Sequence, residues 1–205
     1  HIVGGDLVRS PVTFITVAMT GVSRGQLLTR HHAQPGDVVA VTGHLGCAAG
    51  GLRAHSHDVG LEDRVASHLR EAHVHPIPRI WEGQVLAQEG VRAAIDVSDG
   101  LVDDLSKMCA ASGVGAIVYA GKVPADSFLR EAFPQHYLDL ALGGGEDYEL
   151  LFTGREEVIF RAMARLATPA SVLGRIVADH SGRVQVLDEH GAELPVGRRG
   201  WDHFV

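Results

Sequence analysis

Apolar positions along the chain fall into short β-branched runs that alternate with helical stripes. Residues 11–19 (Pro-Val-Thr-Phe-Ile-Thr-Val-Ala-Met) are rich in branched side chains and read as a strand. A turn at Pro35-Gly36-Asp37 precedes Val38-Val39-Ala40-Val41, a continuous apolar run that predicts a buried strand. Leu45, Ala48, Ala49 and Leu52 then recur at helical spacing within residues 43–52, and a further helix is expected over residues 61–72. Pro76-Ile77-Pro78 cannot lie inside a helix. Residues 91–97 read as a strand. Leu101, Val102, Leu105, Met108 and Cys109 mark the buried stripe of the next helix, with Gly113 as its stop.

After a Gly143-Gly144-Gly145 loop, residues 148–153 read as a strand. Residues 156–166 then place Val158, Ile159, Ala162, Met163 and Leu166 on one helix face. Residues 171–194 look like short strands and turns. Strands alternating with helices predict a layered α/β (α+β) domain.

Composition narrows the function classes. The 205 residues carry 18 Lys plus Arg against 25 Asp plus Glu, a formal charge of −7. That balance argues against non-specific nucleic-acid binding, which needs a basic surface. No run of about 18 apolar residues exists to span a membrane. Two cysteines, Cys47 and Cys109, have no Cys-x-x-Cys spacing, which suits a reducing cytoplasm, and both sit on apolar stripes as core residues. Thirteen histidines include His31-His32, His55-x-His57 and His73-x-His75, but none shows the ligand spacing of a closed zinc site. The chain opens at His1 without Met and meets a Gly-Gly-Asp turn within six residues, which suggests a piece of a longer protein.

Three segments set glycines beside carboxylates at the mouth of a strand or helix. They are Gly4-Gly5-Asp6, Asp96-Val97-Ser98-Asp99-Gly100, and Gly143-Gly144-Gly145-Glu146-Asp147. Glycine admits tight turns and close approach of a ligand. Carboxylates are hard donors suited to Mg²⁺, which bridges a few of them to substrate phosphates. Each segment also has a plain structural reading. Asp99 can be a helix cap, Asp96 a strand end and Gly-Gly-Asp a turn. No Walker-type phosphate loop is present, so a nucleotide would be held through metals and arginines. Gly43-His44-Leu45-Gly46 after a strand is a weak phosphate-nest signal.

Taken in order, the segments resemble the thiamine-monophosphate kinase family, of the aminoimidazole ribonucleotide synthetase-like superfamily. The resemblance is carried by Val3-Gly4-Gly5-Asp6 with Arg9-Ser10-Pro11, by Pro35-Gly36-Asp37 with Val41-Thr42-Gly43-x-Leu45-Gly46, and by Pro78-Arg79. It is strongest in Ile95-Asp96-Val97-Ser98-Asp99-Gly100-Leu101-x-x-Asp104-Leu105, in Gly144-Gly145-Glu146-Asp147-Tyr148-Glu149-Leu150, and in the ending Gly200-Trp201-Asp202-His203-Phe204. It implies a two-domain fold. Residues 1–29 would be the last strand region of an N-terminal ATP- and metal-binding domain, and residues 30–205 the C-terminal α/β domain.

It further implies Mg²⁺-dependent transfer of the γ-phosphoryl of ATP to thiamine monophosphate, giving thiamine diphosphate and ADP, with no nucleophilic side chain. Gly5, Asp6, Arg30 and Ser98 would contact ATP, and Asp6, Asp96 and Asp99 would hold several Mg²⁺ ions. Glu146, Asp147 and Trp201 would face the thiamine side, an aromatic suiting the cationic ring. Which of Glu146, Asp147 and Glu149 faces the substrate stays open. A homodimer formed through the N-terminal domain is implied, as is inactivity of these 205 residues alone. Leu7-Val8 stands where the family commonly has Thr-Thr, and His31-His32 follows Arg30 in place of Gly-Ala. The alternatives are a ribotide synthetase or selenophosphate synthetase-like enzyme of the superfamily, and a non-catalytic nucleotide- or metal-binding fragment.

Overall fold

The computed structural model describes residues 1–23, 25–56, 60–178, 181–197 and 200. Among them, six strands and seven helices run β1 (Val38–Thr42), α1 (Cys47–Ser56), α2 (Asp63–Val74), α3 (Ile80–Gln88), β2 (Ala93–Asp96), α4 (Leu101–Ser112), β3 (Gly115–Tyr119), α5 (Ser127–Ala132), α6 (Tyr137–Gly143), β4 (Leu150–Gly154), α7 (Glu156–Met163), β5 (Ala170–Val177) and β6 (Val184–Leu187). The strands make one mixed sheet in the order β2-β4-β1-β5-β3-β6, antiparallel throughout except for the parallel β3–β6 pair.

Both faces of this sheet are covered, which explains why β1 reads as an unbroken apolar run rather than an alternating one. Val39 and Val41 point into a core with Leu101, Leu105 and Met108 of α4, while Ala40 points the other way, with Phe152, Leu86 of α3 and Ile159 of α7. A third cluster joins α1, α2 and α5 through Cys47, Val65, Leu69, Leu129 and Phe133. The expected stop of α4 is in place. Gly113 caps it in the left-handed conformation, φ 70°, with its N–H donating to Ala110 O.

The strand expected over residues 11–19 does not form. Val12, Phe14, Ile15 and Val17 are 67–81% exposed, and that stretch of backbone pairs with no strand among the described residues. A β-branched run becomes a strand only where a neighbour completes its ladder and covers its side chains. The first pairing comes at Thr29, which makes a parallel bridge to Ala93.

Element boundaries also shift, with α2 at 63–74 rather than 61–72 and β2 at 93–96 rather than 91–97. α1 begins at Cys47 rather than 43, because Gly43 and Gly46 adopt φ 59° and 88°. β4 begins at Leu150 rather than 148, because Tyr148 has φ 51°. α7 ends at Met163, three residues before the expected 166. α3, β3, α5 and α6 carry too short or too weak a period to stand out in the sequence.

Register brings the chemistry-bearing loops to one end of the sheet. Asp96 at the end of β2 lies opposite Leu150 at the start of β4, and Val41 near the end of β1 lies opposite Leu151. The loops after β1 and β2 and the loop before β4 therefore meet.

Candidate functional site

The two acidic loops are laced together through their backbones. Val97 N–H donates to Glu149 O (2.8 Å), Tyr148 N–H to Val97 O (2.9 Å) and Glu146 N–H to Ser98 O (2.9 Å). This lacing demands glycine at 145, where a Cβ would lie 2.3 Å from Ser98 O. Two non-glycine residues, Glu146 (φ 69°) and Tyr148 (φ 51°), hold left-handed backbone so that the loop can follow this path. Strain of this kind is retained only where the surroundings enforce it.

Behind the loops sits a buried carboxylate. Asp104, 1% exposed, accepts the N–H groups of Ser98 (2.9 Å), Asp99 (2.9 Å) and Gly100 (3.2 Å) on Oδ2, and Lys107 Nζ (2.9 Å) on Oδ1. It therefore shapes the whole Asp-Val-Ser-Asp-Gly turn from the first turn of α4. Lys107 also bonds Asp99 Oδ2 and Asp103 Oδ2, the latter at 2.7 Å. Burial alone would lower the Lys107 pKa, but the hydrogen bonds that its ammonium donates to Asp103, Asp99 and Asp104 push it above the ordinary range.

The Gly-Glu-Asp-Tyr-Glu segment divides its three carboxylates between different tasks. Glu149, 5% exposed, is a structural ion pair. Arg79 grips it bidentately (Nε to Oε2 2.7 Å, Nη2 to Oε1 2.6 Å), and Thr42 Oγ1 donates to Oε2 at 2.5 Å. Asp147 accepts the Gly46 N–H (2.7 Å) and the Ala48 N–H (3.3 Å), tying the loop to the head of α1. Burial raises the Asp147 carboxyl to about 7, against the lowering effect of those two bonds and with help from Glu149 and Glu146. Glu146 remains exposed at the surface. Burial also lifts the Tyr148 hydroxyl, with Glu146, Asp96 and Asp99 adding to the shift, so these three carboxylates share one electrostatic neighbourhood.

Arg30, Asp96, Ser98 and Asp99 line an open cleft of about 960 Å³ together with Thr29, Asp104 and Lys107. Thr29 positions Arg30 there. Its N–H donates to Arg92 O and its carbonyl accepts from Ala94, adding a short parallel rung to β2. Gly5 and Asp6 lie in the exposed N-terminal stretch and do not line the cleft, and among the described residues Asp6 Oδ1 accepts the Leu7 N–H. Trp201 lies outside the described residues. Gly200 before it packs against α4, where a Cβ would sit 2.6 Å from Asp103 Cβ.

The cleft's donor set suits Mg²⁺. Asp96 is exposed at its mouth, and Asp99 offers Oδ1 while Oδ2 is engaged by Lys107. All of these donors are hard oxygens. Asp99, Asp103 and Asp104 also converge on one point, but there the Lys107 ammonium already supplies the balancing charge.

Arg30, Asp96, Ser98 and Asp99 are legible as site residues in the sequence, whereas the roles of Asp104, Lys107 and Arg79 emerge only from the fold. The acidic first turn of α4 was the available signal for Asp104. Cys47 and Cys109 are buried, and burial pushes both thiols up to about 12, as expected of core cysteines rather than nucleophiles.

The layered sheet and its laced acidic loops define a known class. The family model described as AIR synthase related protein, C-terminal domain, matches residues 34–187, and the chain belongs to this family. Within it, the likeness is to thiamine-monophosphate kinases. That of Escherichia coli is 37% identical over 211 residues, covering 100% of this chain and 64% of its own length. The crystal structure of the thiamine-monophosphate kinase from Stenotrophomonas maltophilia is 37% identical with a TM-score of 0.73, over 80% of this chain and 54% of that one. AaThiL complexed with AMPPCP and TMP is 28% identical with a TM-score of 0.73, over 87% and 55%. The chain thus spans 64% of the length of its curated relative. No helix among the described residues is long and apolar enough to cross a membrane.

Proposed function

We propose that this chain contributes one wall of the site of an ATP- and Mg²⁺-dependent thiamine-monophosphate kinase. The observation that carries the reading is the lacing of the two acidic loops, which sets Asp96, Ser98 and Asp99 on a cleft shared with Arg30. The likeness to a relative complexed with AMPPCP, an ATP analogue, and TMP supports it.

In the reaction, an oxygen of the thiamine monophosphate phosphate attacks the γ-phosphorus of ATP and ADP leaves, giving thiamine diphosphate. Such a transfer needs positioning and charge neutralisation rather than a nucleophilic side chain. Asp96 and Asp99 Oδ1 would hold Mg²⁺, which neutralises the repulsion between the two phosphate groups. Arg30 presents a fixed-charge fork to phosphate oxygens, and the Ser98 hydroxyl donates to the nucleotide. Glu146, the exposed carboxylate of its segment, would face the thiamine cation, and Trp201 keeps the same role only as the family resemblance implies it. Asp147 acts through α1, as a positioning residue. Gly5 and Asp6 would join the ATP site only alongside the part of the relatives' length that these 205 residues do not span. A homodimer in the cytoplasm completes the proposal, and these residues alone would not turn over.

The test is incubation of the full-length protein with ATP, Mg²⁺ and thiamine monophosphate. Stoichiometric thiamine diphosphate and ADP are expected. Turnover with a different acceptor instead would overturn the substrate assignment.

A further inference from the structure

Away from the cleft, three ligand-type side chains converge from three separate elements. Cys47 opens α1, His68 lies in the middle of α2, and Asp126 precedes α5 as its N-cap. Their Sγ, ring nitrogen and carboxylate oxygen all lie within 4.8 Å of one another, and His68 Nε2 is 3.4 Å from Asp126 Oδ1. We propose that Cys47, His68 and Asp126 form a binding site for a single Zn²⁺ ion that clamps α1, α2 and the head of α5 together.

The donor set is the argument. One thiolate, one imidazole and one carboxylate are the three ligand types Zn²⁺ takes, whereas Mg²⁺ and Ca²⁺ would want oxygen alone. In a tetrahedral site with metal–ligand bonds near 2.0–2.3 Å, neighbouring donors stand roughly 3.3–3.8 Å apart. The His68–Asp126 pair already has that separation, and the thiol lies within 4.8 Å of both, so it needs to approach by at most about 1 Å.

Two of the donors are held in place from behind. The His68 ring stacks on Phe128 at 4.3 Å between centroids, and Asp126 Oδ1 accepts the Phe128 N–H at 2.7 Å. Bonds of the latter kind orient metal ligands and support affinity. The third donor arrives by close helix packing. Gly51, one turn beyond Cys47, lets α1 lie so near α2 that a Cβ there would sit 2.2 Å from Leu69 O. Cys47 is buried while the His68 side chain is 41% exposed, so the fourth coordination position opens toward solvent. Such a site takes a water or small anion in that position. It lies outside the residues assigned to phosphoryl transfer, so it stands or falls independently of that reading.

The test titrates Co²⁺ and Zn²⁺ into the metal-free 205-residue chain. One Co²⁺ per chain is expected, with the visible bands of a tetrahedral ion and a near-ultraviolet thiolate-to-cobalt band. Cys109→Ser should keep that band and Cys47→Ser should lose it. His68→Gln, at a position whose side chain is 41% exposed, should weaken Zn²⁺ binding by about tenfold or more. It should also abolish the rise in melting temperature that Zn²⁺ gives the unaltered chain. Absence of the thiolate band in the unaltered chain overturns the proposal. So does Zn²⁺ binding undiminished in His68→Gln, which would place the ion on other histidines. Should Cys47→Ser fail to fold, the band in Cys109→Ser together with the His68→Gln affinity decides.

Discussion

Replacing Asp104 with Ala removes the one group that three consecutive site amides share. Its carboxylate is 1% exposed and accepts from Ser98, Asp99 and Gly100 while pairing with Lys107. A hydrogen bond to a charged group contributes about 1.5–3 kcal/mol net. Ser98 and Asp99 are only partly buried, so water can re-satisfy their N–H groups, and about 1 kcal/mol per bond is the appropriate scale. The expected loss is therefore about 3 kcal/mol, at the lower edge of the range for removing one partner of a buried charged pair. For a chain of this size that corresponds to a fall of about 6–12 °C in melting temperature. Calorimetry would read the stability, and amide hydrogen exchange at residues 98–100 would read the loop, whose protection should collapse further than that of β1. Asp104→Asn, which can still accept, should fall between the two. A melting temperature within about 2 °C of the unaltered chain, with protection intact, would show that the three amides do not depend on Asp104. The turn would then be held by its lacing to the 146–149 segment alone.

Arg79→Ala strands the buried Glu149 carboxylate, so a loss of about 3 kcal/mol is expected in urea unfolding, with most of it recovered in Arg79→Ala/Glu149→Gln; equal losses in both would contradict the ion-pair account. Because folding raises the Asp147 carboxyl from 3.8 to about 7, the unfolded chain releases that proton first as pH rises. The resulting stability is full below about pH 4 and lost between about 4 and 7. Unaltered protein should accordingly weaken relative to Asp147→Asn across that window, and a pH-independent difference in melting temperature would exclude the burial argument. Gly51→Ala forces a methyl to 2.2 Å from Leu69 O and should cost about 1–3 kcal/mol by thermal unfolding, unlike Gly121→Ala, where no atom lies within 4 Å.

Legibility in the sequence followed the strength of the local signal. β1, α2, α4 and α7 each carry a strong run or stripe, and all four form, with α2 displaced by two residues and α7 three residues shorter than its stripe. The 11–19 segment shows the opposite case, since branched residues report a liking for a ladder without supplying the neighbour. Short elements such as α5 and α6 span fewer than two full turns each, too little for a period to emerge.

At the site, residue types were readable but their division of labour was not. Glu146, Asp147 and Glu149 look alike in a string. The fold separates them, because Arg79 comes from 70 residues upstream to claim Glu149, and the Gly46 and Ala48 amides come from about a hundred residues upstream to claim Asp147. Lys107 likewise turns Asp99 from a free carboxylate into a half-engaged one, a pairing that depends on the three-dimensional bend at Gly100.

Asp96 is exposed and lines the cleft, so its side chain can be changed with little cost to the fold. In the full-length protein, thiamine diphosphate formation from ATP, Mg²⁺ and thiamine monophosphate should fall at least about a hundredfold in Asp96→Asn, as for loss of one preorganised electrostatic group, with the melting temperature unchanged. Undiminished product formation by a fully folded Asp96→Asn protein would mean that the cleft at the end of β2 does not hold the metal of phosphoryl transfer.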